Sequence, residues 1–422
     1  MRDWQVRGLI NSDEQIDEVD LADAQSLARH RLQRPTILYL MLAQGCNWKC
    51  TGCPIPDLAK LYGERLLTFE DAMAGVDMWR RHIEAYPPDD EPYFVIMYGG
   101  EPLLNRSVLE QLLPAIVTEK ESGRLPAKLE LMLCTNGQLI DGRLANFLKR
   151  YSVKVALGMD GPGDTNDKTR RTCENTGTSA VITHAIDALV TQDVQVVVST
   201  TMTPDNIQRI PEFRAQLKAA GVQGFGLNLL KGLPLRLLSF AESAAYAKAA
   251  AQAVLEGLGQ SDDDSFYEYQ LQKRLESLRT GLPYPVDCTC YGNQLVIQAD
   301  GQVGNCPFQR HDHGHVRELS QKFQIGNSPT VRLWQNRLPI FNQEMGKNMV
   351  ANALHGGGCA WSSYEVHGSE TAEDVCNATF AQEVQCELIW SLLPADRAIE
   401  PRRGETSHWN HRRLRSLHDS TA

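Results

Sequence analysis

Six short apolar segments separated by amphipathic stretches constrain the fold of this chain more than any other feature. They are Thr36–Leu42 (TILYLML), Tyr93–Gly99 (YFVIMYG), Lys128–Thr135 (KLELMLCT), Val153–Asp160 (VKVALGMD), Val194–Met202 (VQVVVSTTM) and Gly224–Leu230 (GFGLNLL). Stretches with helical periodicity, such as TFEDAMAGVDMWRRHIEAY and GTSAVITHAIDALVTQD, lie between them. Apolar strands alternating with helices predict a parallel sheet covered by helices, because parallel neighbours need a long crossover. Six such units fit a partial (β/α)6 barrel of the TIM type or an open α/β sheet. In both, functional groups collect at the C-terminal ends of the strands. The motifs obey that rule. GCNWKCTGC follows the first segment, GGEP the second, TNG the third and DGP the fourth.

The rest of the chain divides by texture. Residues 1–35 read as a polar N-terminal arm, 36–235 as the barrel and 236–283 as a helical bridge carrying FAESAAYAKAAAQAVLEGL and SFYEYQLQKRLESLRTG. Residues 284–390 read as a small Cys-rich α+β domain. Its start, CTCYGNQLVIQADGQVGNCPF, predicts a hairpin turning at Asp300-Gly301. Residues 391–422 form a basic tail, the exception in a chain of net charge −10 that otherwise argues against nucleic-acid binding. No apolar run reaches membrane-spanning length, and the N-terminus lacks the order of a signal peptide. The expectation is a cytoplasmic protein without a membrane partner. In that compartment eleven cysteines, three at 46–53, six after 287 and the isolated Cys134 and Cys173, suggest metal rather than disulfides.

Cys46, Cys50 and Cys53 supply three thiols from one loop. A closed zinc or iron–sulfur site takes four ligands, and the neighbouring Lys49 and Asp57 are poor substitutes. Two readings stay open from spacing alone. One is a zinc site completed from a distance, or spare reduced cysteines. The other is a cubane cluster with one iron left free for a small chelating molecule.

Cys-x3-Cys-x2-Cys at the first strand end, with YGGEPLLN, CTNGQLI and GMDGPGDTNDKTRR in that order, resembles the radical S-adenosylmethionine enzymes. It is most similar to the subgroup that modifies peptides and proteins, including anaerobic sulfatase-maturating enzymes. The resemblance implies that Cys46, Cys50 and Cys53 hold a [4Fe–4S] cluster whose open iron binds S-adenosylmethionine. It implies that Gly99, Gly100, Glu101 and Pro102 meet the methionine ammonium. There two glycines would admit the ligand to the backbone, and a carboxylate would answer the cation. Asn136 and Arg170 match positions that contact the ligand, with Arg171 as the alternative register for Arg170. Ser199 and Thr200 are further candidates, against the plain reading of a strand hydroxyl satisfied by backbone. Two residues depart from the pattern: Gly52 stands where an aromatic residue is usual, and Gly158 where a serine often precedes DGP.

The C-terminal region resembles the SPASM extension of the same subgroup, or its shorter twitch form. Cys288, Cys290, Cys306 and Cys359 suffice for one auxiliary [4Fe–4S] cluster. A second would have to draw on His355, Cys376 and Cys386 with an outside ligand, and zinc is the alternative for the region. In the sulfatase-maturating relatives an Asp follows the cysteine at the hairpin's end and is the proposed base. Here Pro307 follows Cys306, which argues against sulfatase maturation as such. Replacement bases are Asp312 and His313, with His311 and His315, in QRHDHGH; a solvated loop is the plain reading of that run.

The resemblance implies reductive cleavage of S-adenosylmethionine to a 5′-deoxyadenosyl radical that abstracts hydrogen from a substrate carbon. The expected substrate is a ribosomally made precursor peptide, cross-linked or oxidised. The alternatives are a small-molecule dehydrogenase of a biosynthetic pathway and a non-catalytic iron–sulfur or zinc protein. An external one-electron donor of the flavodoxin or ferredoxin type is implied as partner.

Overall fold

The computed structural model of the chain describes residues 25–85, 92–256, 267–269, 286–342 and 356–392, apart from positions 27, 233–234, 236–237 and 339. All six expected strands form: β1 Ile37–Ala43, β2 Tyr93–Gly99, β3 Leu129–Thr135, β4 Val153–Gly158, β5 Val196–Thr201 and β6 Gly224–Asn228. They pair in parallel and in chain order. Helices such as Phe69–Ala85, Arg106–Glu121 and Ser179–Thr191 cross between them. This is the α/β architecture of a partial TIM barrel.

Strand alternation decides what faces where. In β3 the residues Leu129, Leu131, Leu133 and Thr135 are buried, while Glu130, Met132 and Cys134 are half-buried. β4 repeats this, with Val153, Val155 and Leu157 buried and Lys154, Ala156 and Gly158 less so. The buried set packs into the main apolar core with the helices. The period of two then sends Cys134, Gly158 and Ser199 to the other, inner face. On that face Lys154 pairs with Glu130 at 2.6 Å.

The hairpin at Asp300-Gly301 also forms. β8 Gln294–Ile297 and β9 Val303–Gly304 are antiparallel, with Val296 opposite Gly304. It does not stand apart as a separate small sheet, however. β8 runs parallel to β1, Leu38 beside Leu295, and extends the barrel sheet. At the opposite edge β7, Tyr267–Glu268, pairs in parallel with β6. The order among the described residues is β7-β6-β5-β4-β3-β2-β1-β8-β9. Both additions satisfy backbone groups that an open six-stranded sheet would leave unpaired at its edges.

The helical bridge therefore needs correction in its second half. Its first half is the helix Phe240–Leu255, opened by a capping box of Ser239 and Glu242. Tyr267–Glu268 lies inside SFYEYQLQKRLESLRTG yet is a strand. Its aromatic residues suit a sheet edge, and the Glu268 carboxylate accepts the Leu227 N–H at 2.9 Å. The helix Val375–Leu392 packs on Phe240–Leu255, with Lys248 and Glu383 paired at 3.3 Å. A second, smaller core gathers Leu32, Cys290, Tyr291, Cys306, Trp334, Leu338 and Ile340. The basic tail from 393 on, most of the N-terminal arm and His355 lie outside the described residues. No described helix is long and apolar enough to cross a membrane.

Candidate active site

The three-cysteine loop leaves the end of β1 and is fastened by backbone. Lys49 N–H donates to the Arg171 carbonyl and Thr51 N–H to the Thr169 carbonyl, each at 2.8 Å. Trp48 is buried and bridges to Thr172. Its own N–H donates to Cys46 Sγ at 3.4 Å. Cys50 to Cys53 make a turn, closed by Cys53 N–H on the Cys50 carbonyl at 3.3 Å. The third residue of that turn is Gly52 at φ +75°. A side chain is strained there, so the glycine that departs from the family pattern is set by the turn. Burial pushes the Cys46 thiol up to about 12 and Cys50 to about 11, and raises Cys53. The Arg170 charge opposes the rise at Cys50 and Cys53. Without metal these groups hold their protons, so cluster binding must release them.

GGEP works differently from the expectation. A Cβ on Gly99 would stand 2.4 Å from the Ala43 carbonyl oxygen, and one on Gly100 would stand 2.1 Å from that of Gly45. The glycines thus admit the neighbouring strand end, which carries the cysteines. Gly100 N–H and Glu101 N–H then donate to those same two carbonyls at 2.9 Å. The Glu101 carboxylate already has partners within the chain. It is fully buried and accepts from Leu103 N–H at 2.9 Å, Thr135 Oγ1 at 2.7 Å and Asn136 N–H at 2.8 Å. Burial raises its pKa and these donors oppose the rise. It ties the ends of β2 and β3 together. Pro102 opens the short turn Pro102–Asn105. Asn136 donates through Nδ2 to Asn47 Oδ1 at 2.8 Å and lies 3.9 Å from Cys46 Sγ. Gln138 accepts from both Asn47 and the Trp48 indole.

Arg170, not Arg171, turns into the site. It pairs with Asp160 at 2.9 Å, and its electrostatic partners after Asp160 include Cys50 and Cys53. Arg171 reaches outward to Asn175. The guanidinium lies where a side chain on residue 158 would be: a Cβ on Gly158 would stand 2.4 Å from an Arg170 Nη. Gly158 is therefore a departure matched by the position of Arg170. Asp160 also accepts from Thr169 Oγ1 and Thr201 N–H, which fixes the pair. Of the two β5 hydroxyls, Thr200 is buried and donates to the Met159 carbonyl at 2.8 Å. Ser199 is exposed on the inner face and accepts from Asn228 Nδ2 at 3.0 Å.

Cys288, Cys290, Cys306 and Cys359 converge from three stretches of sequence. The electrostatic partners of Cys290 include the other three. Burial pushes Cys306 up to about 12, with Cys359 and Cys288 adding to it. Side chains far apart in sequence hold the set. Asp287 Oδ2 accepts from Gly356 N–H, Gly358 N–H and Asn377 Nδ2. Asp374 accepts Cys359 N–H at 3.1 Å. Buried Arg337 donates to the carbonyls of Gly357, Glu370 and Ala372 and to Ser363. Among the described residues no three His, Cys, Asp or Glu side chains close on one point as ligands of a single ion would. A cubane, which takes one thiolate at each iron, does not ask for that closeness. Cys376 is buried in the main core and Cys386 is exposed ten residues along the same helix. That separation is about 15 Å along the axis, too far for two ligands of one cluster.

The two weak catalytic candidates differ in how their side chains are held. Asp312 pairs with Arg310 at 2.6 Å. The His313 backbone N–H donates to the Val303 carbonyl and its ring lies 5.6 Å from Phe323, but its Nε2 is buried without a hydrogen-bond partner, and burial lowers its pKa. His311 meets Glu370, and His315 lies 3.7 Å from Asp71. The run is an added edge to the hairpin, paired to it through backbone. Lys231 escaped the sequence reading. Cys359 first, then Cys288, Asp374 and Cys290, hold its ammonium well above the ordinary lysine range. Its place directly behind the sixth strand was the signal available.

Residues 40–217 match the family model of the radical SAM superfamily. A cysteine-type anaerobic sulfatase-maturating enzyme of Clostridium perfringens is 24% identical over 310 residues, covering 68% of this chain and 79% of the relative. An uncharacterized protein of Methanocaldococcus jannaschii is 24% identical over 273 residues, 64% of this chain and 84% of the relative. The radical SAM cyclopropyl synthase TigE of Paramaledivibacter caminithermalis is 26% identical over 135 residues, 30% of this chain and 27% of its own length. In structure the chain resembles anSMEcpe with bound AdoMet and the Cp18Cys peptide, at TM-score 0.65 and 18% identity over 84% of this chain and 96% of that one. It also resembles Streptococcus suis SuiB bound to the precursor peptide SuiA, at TM-score 0.55 and 14% identity over 87% and 84%.

Proposed function

We propose, from the radical S-adenosylmethionine domain that residues 40–217 form, that this chain modifies a carbon of a ribosomally synthesised peptide. The observation that carries the reading is the pairing of an open three-thiol loop with a four-thiol set on one continuous sheet. Cys46, Cys50 and Cys53 would hold the [4Fe–4S] cluster that leaves an iron for S-adenosylmethionine. Cys288, Cys290, Cys306 and Cys359 would hold one auxiliary cluster. When bound, the first cluster and S-adenosylmethionine supply a 5′-deoxyadenosyl radical that takes hydrogen from the substrate.

The chain's own residues do the positioning. Gly99 and Gly100 bring the β2 end onto the cysteine loop, and Glu101 locks it to Asn136. Asp160 holds Arg170 beside Cys50 and Cys53, where it would meet the anionic end of the ligand. Ser199 and Asn228 offer hydrogen bonds on the inner face. Pro307 stands where sulfatase maturases have a base, so a different peptide reaction is favoured. Relatives and similar folds named for peptide or maturation chemistry support that choice of substrate.

Anaerobic reconstitution should give about eight iron and eight sulfide per chain. With S-adenosylmethionine, a low-potential electron donor and a candidate precursor peptide, the protein should release 5′-deoxyadenosine and change the peptide's mass. Zinc in place of iron would overturn the cluster assignment. Turnover of a small alcohol or amino acid with the peptide untouched would move the reading to a small-molecule dehydrogenase.

A further inference from the structure

The loop behind β6 carries a cation to which the proposed reaction gives no task. Gly232 N–H donates to Ser362 Oγ at 3.1 Å. At φ +67°, a Cβ on Gly232 would stand 2.8 Å from the Trp361 indole. Trp361 and Ser362 lie in the helix Ala360–His367, whose N-cap residue is Cys359. The barrel loop is thus clamped to the first turn behind an auxiliary cysteine. Lys231 adjoins that clamp in sequence, and its side chain is solvent-accessible. Its electrostatic partners are Cys359, Cys288, Asp374 and Cys290.

A cluster held by four thiolates is negatively charged overall, and reduction adds one more negative charge. A fixed cation beside it favours the reduced form, because the Coulomb energy grows with cluster charge. Net charge around a cluster is one of the terms that set its potential. We propose that Lys231 raises the reduction potential of the auxiliary cluster and so poises it to hold an electron. This rests on the assignment of Cys288, Cys290, Cys306 and Cys359 as that cluster's ligands.

The test uses the full chain with Cys46, Cys50 and Cys53 replaced by alanine, leaving about four iron and four sulfide. Potentiometric titration followed by electron paramagnetic resonance reads the remaining cluster. Lys231→Met should lower the reduced-to-oxidised ratio at fixed potential about tenfold, equal to a fall of about 59 mV for one electron. Lys231→Arg should hold the ratio near wild type. The same shift should appear without the alanine changes, in the signal that S-adenosylmethionine does not perturb. An unchanged ratio in Lys231→Met with iron retained overturns the proposal. Loss of iron in Lys231→Met but not in Lys231→Arg also overturns it, since the cation then holds the cluster rather than poising it. A triple-alanine chain that keeps its fold but binds no iron overturns the auxiliary assignment itself.

Discussion

The two cysteine sets are built in opposite ways. Cys46, Cys50 and Cys53 come from one loop of eight residues, fixed by backbone hydrogen bonds and by glycines that let strand ends touch. Cys288, Cys290, Cys306 and Cys359 come from stretches up to about seventy residues apart, and carboxylates and a buried guanidinium hold them. The thiols of the first set are neighbours in sequence, and distant backbone at Thr169, Arg171 and the β2 end only fastens their loop. The second exists only when its scaffold is complete. The difference predicts distinct failures for the two halves of the molecule.

The sharpest break removes one ligand from the local set. Cys46→Ala should abolish 5′-deoxyadenosine formation and lower iron from about eight to about four per chain, with the auxiliary signal intact. Iron analysis with paramagnetic resonance checks it; loss of both signals would mean that the sets are not independent. Next in size is Arg337→Ala. It strips a donor from the carbonyls of Gly357, Glu370 and Ala372 at once. Several buried acceptors left unpaired should cost about 3 kcal/mol. The auxiliary iron should go first while the three-cysteine cluster still loads. An unfolding midpoint and an iron count taken together decide this.

How much was legible follows the same division. The six strands were readable because apolar runs bounded by turn residues are a local signal, and the four strand-end motifs fell where a parallel sheet puts them. Gly52 and Gly158 were read as departures, but their reasons were hidden. One needs a backbone angle, and the other needs the position of an arginine twelve residues on. The tie that the Glu101 carboxylate makes between strand ends was not legible, because two of its donors, Thr135 and Asn136, lie a whole β–α unit away. β7 and β8 were missed as barrel strands for a similar cause. An open edge recruits a strand by exposing backbone, and no side-chain pattern records that. Cys376 and Cys386 needed only the pitch of a helix to be separated, once their segment was known to be one.

Gly158→Ser sharpens the comparison at the local set. It restores the residue usual in the family but introduces a Cβ 2.4 Å from the Arg170 guanidinium. Arg170 must move, and its ion pair with Asp160 at 2.9 Å must loosen. Overpacking of this kind costs about 1–3 kcal/mol. S-adenosylmethionine should bind about tenfold more weakly, or about 1.4 kcal/mol, in equilibrium titration of the loaded protein. Unchanged affinity would show that Arg170 does not meet the ligand.

The smallest effect tests the joint between the halves. His82, on the barrel helix Phe69–Ala85, accepts the Ile325 N–H at Nε2, 3.1 Å away. Its Nδ1 lies 2.8 Å from the Met78 carbonyl. Accepting on one nitrogen while facing a carbonyl with the other requires the neutral ring, protonated at Nδ1. Burial lowers its pKa, and the Met78 contact only partly opposes that. A histidine depressed in the folded state stabilises above its unfolded value, about 6.5, and loses that contribution as pH falls through this value towards the folded one. Protonation at Nε2 would also set two donors against each other at Ile325. Stability should therefore fall by about 1 kcal/mol more in wild type than in His82→Gln between pH 7.5 and pH 5.5. Denaturation midpoints of the two proteins at both values give the difference, and acid effects shared by both cancel. Equal falls would place the acid-sensitive joint elsewhere.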